Sequence, residues 1–211
     1  MANSALGLFK HFMKETRIYI VRHGRTAWND IGQAQGHTDI HLDDIGQAQA
    51  RALAARFHGH SLDAVFSSDL ARAFETAAPV AEATGTSHEA TPMLRERGFG
   101  EWEGMAYAEV NSRLAPTAKA QWYEMRPPGG ESYGDVWDRV DPFVQKLWQM
   151  EGDIMVVSHG GTSAILLAHL LKGTVDTSRA FRFSNTGVTV LEKRPEGLFR
   201  LLKYDDTSHL P

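Results

Sequence analysis

Short runs of aliphatic and β-branched residues alternate along the chain with longer stretches whose apolar positions recur every three or four residues. Arg17 to Val21 has no helical period and reads as a strand, as do Asp63 to Phe66 and Ile154 to Val157. Between the first two, Ala50, Leu53, Ala54 and Phe57 share one helix face behind the acidic start Asp43-Asp44. Ser67, Ser68 and Asp69 are N-cap residues for a helix through Ala83, which Gly85 ends. Leu94 to Gly104 is rich in glycine and alternating charge, the mark of a structured loop. Helical pieces are predicted over Ala106 to Arg113 and Ala118 to Glu124. Val136, Val140, Phe143, Val144, Leu147 and Trp148 predict a long helix from Glu131 to Met150, with a kink or break at Pro142. A further helix, Gly161 to Leu171, follows the strand Ile154 to Val157. Phe181 to Phe183, Val188 to Leu191 and Phe199 to Tyr204 predict late strands, partly antiparallel.

This alternation predicts an α/β fold: a three-layer α/β/α sandwich around a mostly parallel, mixed sheet, with a small helical cap inserted at about residues 100–130. Residues 1–16 read as an N-terminal tail and 17–211 as a single domain.

Composition narrows the function. The 211 residues carry a formal net charge of −4, which disfavours nucleic acid and anionic membranes as partners. An anion site must therefore be a local cluster of positive groups. The absence of cysteine excludes disulfides, thiolate zinc sites and a cysteine nucleophile, and fits a cytoplasmic protein. No segment has the apolar length of a membrane span, and the start, with Lys10 and His11 interrupting its apolar residues, does not read as a signal peptide.

Arg22 and His23 end the first strand, and Gly24, Arg25 and Thr26 lead into a helix start. Ser158-His159-Gly160-Gly161 repeats the arrangement after the strand at 154–157. Open α/β sheets present ligand-binding groups at such strand ends, and a new helix adds free N–H groups that suit an oxyanion. Two histidines with arginines at hand point to chemistry on a phosphate. His23 is the candidate nucleophile: a neutral imidazole is competent to attack phosphorus, and neighbouring arginines disfavour the imidazolium. Arg22 and Arg72, the latter on the first turn of its helix, grip phosphate oxygens. Taken alone, Arg72 reads as a surface charge paired with Glu75 or Asp69. His159 donates a hydrogen bond to the same phosphate, with Gly160 leaving room and a backbone N–H. The sequence disfavours a serine elbow at Ser158, since Val156 stands where the G-x-S-x-G pattern needs glycine.

The leaving oxygen needs a proton, and Glu96, between Arg95 and Arg97, is the best donor. Glu101 and Glu103 read as solvated. His37 with His41, or His58 with His60, have a spacing that metal ligands use, but read as solvated loop residues. Trp102, Tyr107, Trp122, Tyr123 and Met125 either line the cap or pack it to the body, and lining would admit aryl or alkyl phosphomonoesters.

RHGRTAWN, QGHTDIHL, SSDLARAFETA, LRERGFGEWEG, PPGGES and VVSHGG stand in one order along the chain. In that order they resemble the histidine phosphatase superfamily, the phosphoglycerate mutase-like proteins, over about Arg17 to Gly161. The resemblance implies a phosphohistidine intermediate on His23, a phosphate pocket of Arg22, Arg72 and His159, and Glu96 as proton donor. It implies Asn29 and a backbone contact near Gly36 or Gly160 as secondary pocket members, and neither a metal nor another cofactor. Arg25 stands where the family usually has Glu or Gln, and His41-Leu42-Asp43 where it has Pro-Leu-Thr. Arg25 is expected to point to solvent.

The family's mutases carry a longer insertion after the glutamate loop, with extra basic residues, and usually read ERHYG. Here the stretch from Gly104 to Pro127 is short, its basic residues are Arg113, Lys119 and Arg126, and the loop reads ERGFG. The chain is most similar to the short bacterial phosphatases of the broad-specificity and α-ribazole-phosphate types. The expected function is hydrolysis of small phosphorylated metabolites. Phosphoglycerate mutase activity through the same phosphohistidine is the alternative, and a non-catalytic binder of phosphorylated ligands is a third reading.

Overall fold

A computed structural model describes residues 15–114 and 121–211. Most of the expected tail, residues 1–14, lies outside the described residues, as do Lys119 and the first part of the helix expected at Ala118.

Six strands form one sheet: β1 (Arg17–Arg22), β2 (Ala64–Ser68), β3 (His88–Thr91), β4 (Asp153–Ser158), β5 (Val188–Lys193) and β6 (Phe199–Asp206). Their order is β3-β2-β4-β1-β5-β6. The run from β3 to β1 is parallel and β5 and β6 are antiparallel, giving the mixed sheet expected. β1 and β4 lie side by side in a register that pairs Arg22 with Ser158. The residues that follow, His23 and His159, therefore leave the same edge of the sheet next to each other.

The period of two along the central strands builds the two outer layers. Ile18, Ile20, Ile154 and Val156 face one side and pack with α5 (Tyr133–Gln149) and α6 (Gly160–Leu170). Val21, Met155 and Val157 face the other and pack with α2 (Asp44–Phe57) and α3 (Ala71–Thr84). Short helices α1 (Ala27–Asp30) and α4 (Tyr107–Arg113) complete the set. Ala50, Leu53, Ala54 and Phe57 are all buried on α2, as their spacing predicts, and Gly85 ends α3 in the left-handed region.

Four local expectations change. Leu70, not Ser67, Ser68 or Asp69, is the residue before α3; Ser68 accepts from the Leu70 N–H and Asp39 from the Ala71 N–H, so a distant loop supplies part of the cap. Pro142 sits within α5 without ending it, because five apolar residues of that helix are buried against the sheet. Phe181 to Phe183 is not a strand. Its Phe183 carbonyl accepts from Arg22 Nη1 at 2.8 Å. The described part of the helix expected to end at Glu124 is one 3₁₀ turn, Trp122–Glu124.

Arg25 does not point into open solvent. Its guanidinium bonds Asp43 at 2.8 Å and Asp30 at 2.9 Å. Asp43 also caps α2 by accepting from the Gly46 N–H. The two departures from the family pattern, at 25 and 43, are thus partners in one ion pair.

Candidate active site

His23 lies just beyond β1 and is almost fully buried. Its Nδ1 is 2.7 Å from the Gly24 carbonyl. A carbonyl only accepts, so Nδ1 carries the proton and the Nε2 lone pair is free. Burial, then the charges of Arg72 and Arg22, hold the imidazole well below its usual 6.5. It is therefore neutral at physiological pH, as a nucleophile must be.

The His159 ring lies 5.1 Å from that of His23, centre to centre. Arg72 Nε donates to His159 Nδ1 at 3.1 Å. This leaves the proton on Nε2, which is buried with no hydrogen-bond partner among the described residues. Burial, then Arg72, lowers this imidazole also well below 6.5, so the ring is neutral with an N–H at Nε2.

Arg72 is wholly buried and reads the loop before it: Nη2 donates to the Gly36 carbonyl at 2.8 Å and Nη1 to the Thr38 carbonyl at 3.0 Å. Burial brings it down to about 10, so it stays a cation, and each Nη keeps a second hydrogen for a ligand. It does not pair with Glu75 or Asp69. Glu75 instead bonds His41 and the Leu42 N–H, and Asp69 is gripped by Arg95. Gly36 contributes its carbonyl to Arg72. At φ +54°, with a Cβ due to fall 2.2 Å from Glu103 Oε1, only glycine fits there.

Glu96 sits at the start of α6. Its carboxyl oxygens accept from the N–H groups of Gly161 at 3.1 Å, Thr162 at 3.2 Å and Arg97 at 2.9 Å. The helix N-terminus expected to bind phosphate thus holds this acid. A Cβ at position 161 would lie 2.7 Å from Glu96 Oε1, so Gly161 is what allows the approach. Gly160 lies beside Arg22, with a Cβ there due to fall 3.7 Å from Nε. Asn29 Oδ1 accepts from the Thr26 N–H and closes the capping box of α1. Ser158 donates to the Leu94 carbonyl from a fully buried position.

Three supports were not visible in the sequence. Arg139 of α5 donates to the carbonyls of Met93, Arg95 and Glu96 at 2.8, 3.0 and 3.2 Å. Its other edge holds Glu131, Nε at 2.9 Å and Nη2 at 3.0 Å. His37 bonds the Glu96 carbonyl at 2.8 Å, lies 3.5 Å from Glu131, and is raised above 6.5 chiefly by that carboxylate. Glu103, far from solvated, accepts from the N–H groups of His37, Thr38 and Phe99 and so fixes the loop that Arg72 reads.

Glu131 gives a pH prediction. Burial works against its charge, but the bonds from His37, Arg139 and the Gly98 N–H outweigh it and hold the carboxyl at about 2, from an ordinary 4.5. A depressed acid stabilises the fold above its unfolded value and loses that contribution as pH falls towards the folded one. Unfolding free energy should therefore drop between pH 4.5 and 2, by up to about 3 kcal/mol from this group. Urea titrations at pH 5.5 and 3 should show a smaller difference for Glu131→Gln than for the wild type; an equal difference would remove Glu131 as the cause.

A cavity of about 450 Å³ opens beside this cluster. Arg22, Glu96, Gly160 and Gly161 are among its lining residues, and Phe99, Tyr107, Trp122 and Tyr133 give it aromatic walls. Tyr107 is held up to about 12, first by its shielding from bulk water and then by Glu96, and stays a hydroxyl donor. Of the other aromatics expected here, Trp102 packs instead with Ala34, Phe99 and Val110.

The family model described as histidine phosphatase superfamily (branch 1) matches residues 18–207. Phosphoglycerate mutase-like protein 4 of Arabidopsis thaliana is 34% identical over 202 residues, covering 92% of this chain and 86% of that protein. Glucosyl-3-phosphoglycerate phosphatase of Mycolicibacterium vanbaalenii is 36% identical, with 78% of each chain covered. Among solved structures, the α-ribazole phosphatase of Shigella flexneri superposes with a TM-score of 0.80 at 27% identity, covering 90% of this chain and 96% of that one.

Proposed function

The chain belongs to the histidine phosphatase superfamily, and from that premise we propose how its residues divide the work. It is a metal-independent histidine phosphatase that hydrolyses phosphomonoesters. The observation that carries the assignment of roles is the pair of neutral imidazoles in opposite tautomers. His23 offers a lone pair at Nε2 and His159 an N–H at Nε2, 5.1 Å apart between ring centres.

In the first step His23 Nε2 attacks phosphorus, the P–O ester bond breaks, and Glu96 delivers a proton to the leaving oxygen. Arg22, Arg72 and His159 hold the three equatorial oxygens, with Asn29, Gly36 and Gly160 as secondary members of the pocket. In the second step water attacks the phosphohistidine, Glu96 takes its proton, and the P–N bond breaks to release phosphate and free His23. The substrates are small phosphorylated metabolites and the setting is the cytoplasm, which the cysteine-free composition supports. We take residues 17–211 as one catalytic domain, residues 1–16 as a tail, and about 100–130 as its cap.

Among the described residues, the cap's cations do not favour the mutase reading. Arg113 pairs with Glu109 and Arg126 with Asp135, and neither lines the cavity. Phosphoryl exchange between phosphoglycerates is expected to be slower than hydrolysis.

The test is turnover of para-nitrophenyl phosphate. It should persist in EDTA and be blocked by vanadate, and no turnover under any condition would leave a binder of phosphorylated ligands. Glu96→Gln should lower kcat by roughly 10²- to 10⁴-fold and flatten the pH–rate profile on one side. Its effect should be smallest with para-nitrophenol, a leaving group that needs little protonation. An unchanged profile would remove Glu96 from the chemistry.

A further inference from the structure

Among the described residues, every arginine away from the cavity and the two histidines, except Arg51, has a carboxylate within ion-pair distance. The others without one gather at the site: Arg22 and Arg72, which serve the phosphate, and then Arg97, Arg179 and Arg182, which the mechanism does not use. All three of the latter line the cavity.

Arg97 is the most telling. It is 3% exposed, yet its Nε and Nη2 have no hydrogen-bond partner among the described residues. Its guanidinium lies over the rings of Phe99 and Tyr133, 4.7 and 4.5 Å from their centres. Those faces fix its plane but offer no anion. The Nε and Nη2 edge is the one by which Arg95 grips Asp69, at 2.8 and 2.6 Å, and Arg139 grips Glu131. That edge matches the two oxygens of a planar carboxylate. A buried cation without a counter-charge is disfavoured unless its ligand supplies one. Arg179 lies over the Trp122 ring at 4.9 Å, and Arg182 is tied to the carbonyls of Arg179 and Phe181. Both are thereby held on the cavity wall with their charge uncompensated.

We propose that Arg97, Arg179 and Arg182 form a second anion subsite, and that the preferred substrate is a phosphomonoester whose organic part carries a carboxylate. The inference rests on the phosphatase reading above and adds the chemistry of the group beyond the ester oxygen. It also places the cations that select the substrate on the glutamate loop and on residues 179–182.

The experiment compares kcat/KM for 3-phosphoglycerate and glycerol 3-phosphate, which differ in a carboxylate against a hydroxymethyl group. A second pair, fructose 1,6-bisphosphate and fructose 6-phosphate, asks whether any second anion suffices. The wild type should prefer 3-phosphoglycerate by roughly 10- to 100-fold, the effect of charge-assisted hydrogen bonds. Arg97→Gln should bring that ratio to within about threefold of one, and Arg97→Lys should restore part of it. The ratio is read within each variant, so a general loss of activity cancels. Should Arg97→Gln fail to fold by circular dichroism, the double variant Arg179→Gln/Arg182→Gln gives the same readout. Equal hydrolysis of both three-carbon esters by the wild type, or a ratio untouched in these variants, overturns the subsite while leaving the phosphatase intact. A preference for the bisphosphate alone overturns the carboxylate assignment. Failure to hydrolyse any of the four esters would instead count against the phosphatase reading itself.

Discussion

His23→Ala is expected to lower kcat by on the order of 10⁴- to 10⁶-fold, the scale of losing a covalent nucleophile. No other imidazole can substitute. His159 presents an N–H, not a lone pair, towards the site because Arg72 occupies its Nδ1. The wild type, quenched in mid-turnover without acid and digested, should carry the phosphoryl group on the peptide containing His23. A label on another residue, or a His23→Ala variant within tenfold of the wild type, would overturn the mechanism. Circular dichroism of the variant separates loss of chemistry from loss of fold, since the Gly24 carbonyl loses its ring partner in this substitution.

Arg72→Lys should have the second largest effect, a fall of about 10²- to 10³-fold in kcat/KM, although the charge is kept. The guanidinium reaches three acceptors in different directions, the Gly36 and Thr38 carbonyls and His159 Nδ1. An ammonium cannot reproduce that fork. Without the donor at Nδ1, His159 is free to place its proton there, and the hydrogen bond to the migrating phosphoryl group is lost. Nitrogen-15 shifts of the His159 ring should report the tautomer change, and an unchanged Nε2–H in the lysine variant would refute this account. Arg72→Ala should also destabilise the fold, by about 3 kcal/mol, since three buried acceptors then lose their donor.

The core of the candidate site was legible because its residues are brought together by locally encoded elements. Arg22-His23-Gly24 and Ser158-His159-Gly160 each follow an apolar run, and such runs in an alternating α/β pattern become neighbouring parallel strands. Arg72 on the first turn of α3 follows from the same logic. What the sequence hid depends on distant chain segments. Arg139 lies on a helix whose apolar face dominates the pattern, so its polar position reads as solvent exposure. Its task is to hold loop carbonyls more than forty residues away. Arg179 and Arg182 come from a stretch whose alternating Phe181-Arg182-Phe183 imitates a strand. Glu103 looks solvated beside Trp102 until its loop partners are known. The short strand β3 is an edge with two exposed residues, and so lacks the apolar signature that marks the others.

Because the pairing of Arg22 with Ser158 places His23 and His159 opposite each other, one residue past the end of a shared ladder, their spacing is inherited from the backbone and not from the walls of the cavity. On the proposed roles, reactivity and selectivity are separable modules in this molecule. Grafting another cap between Gly104 and Pro127, or recasting residues 179–182, should redirect the enzyme to new esters without re-engineering the chemical step.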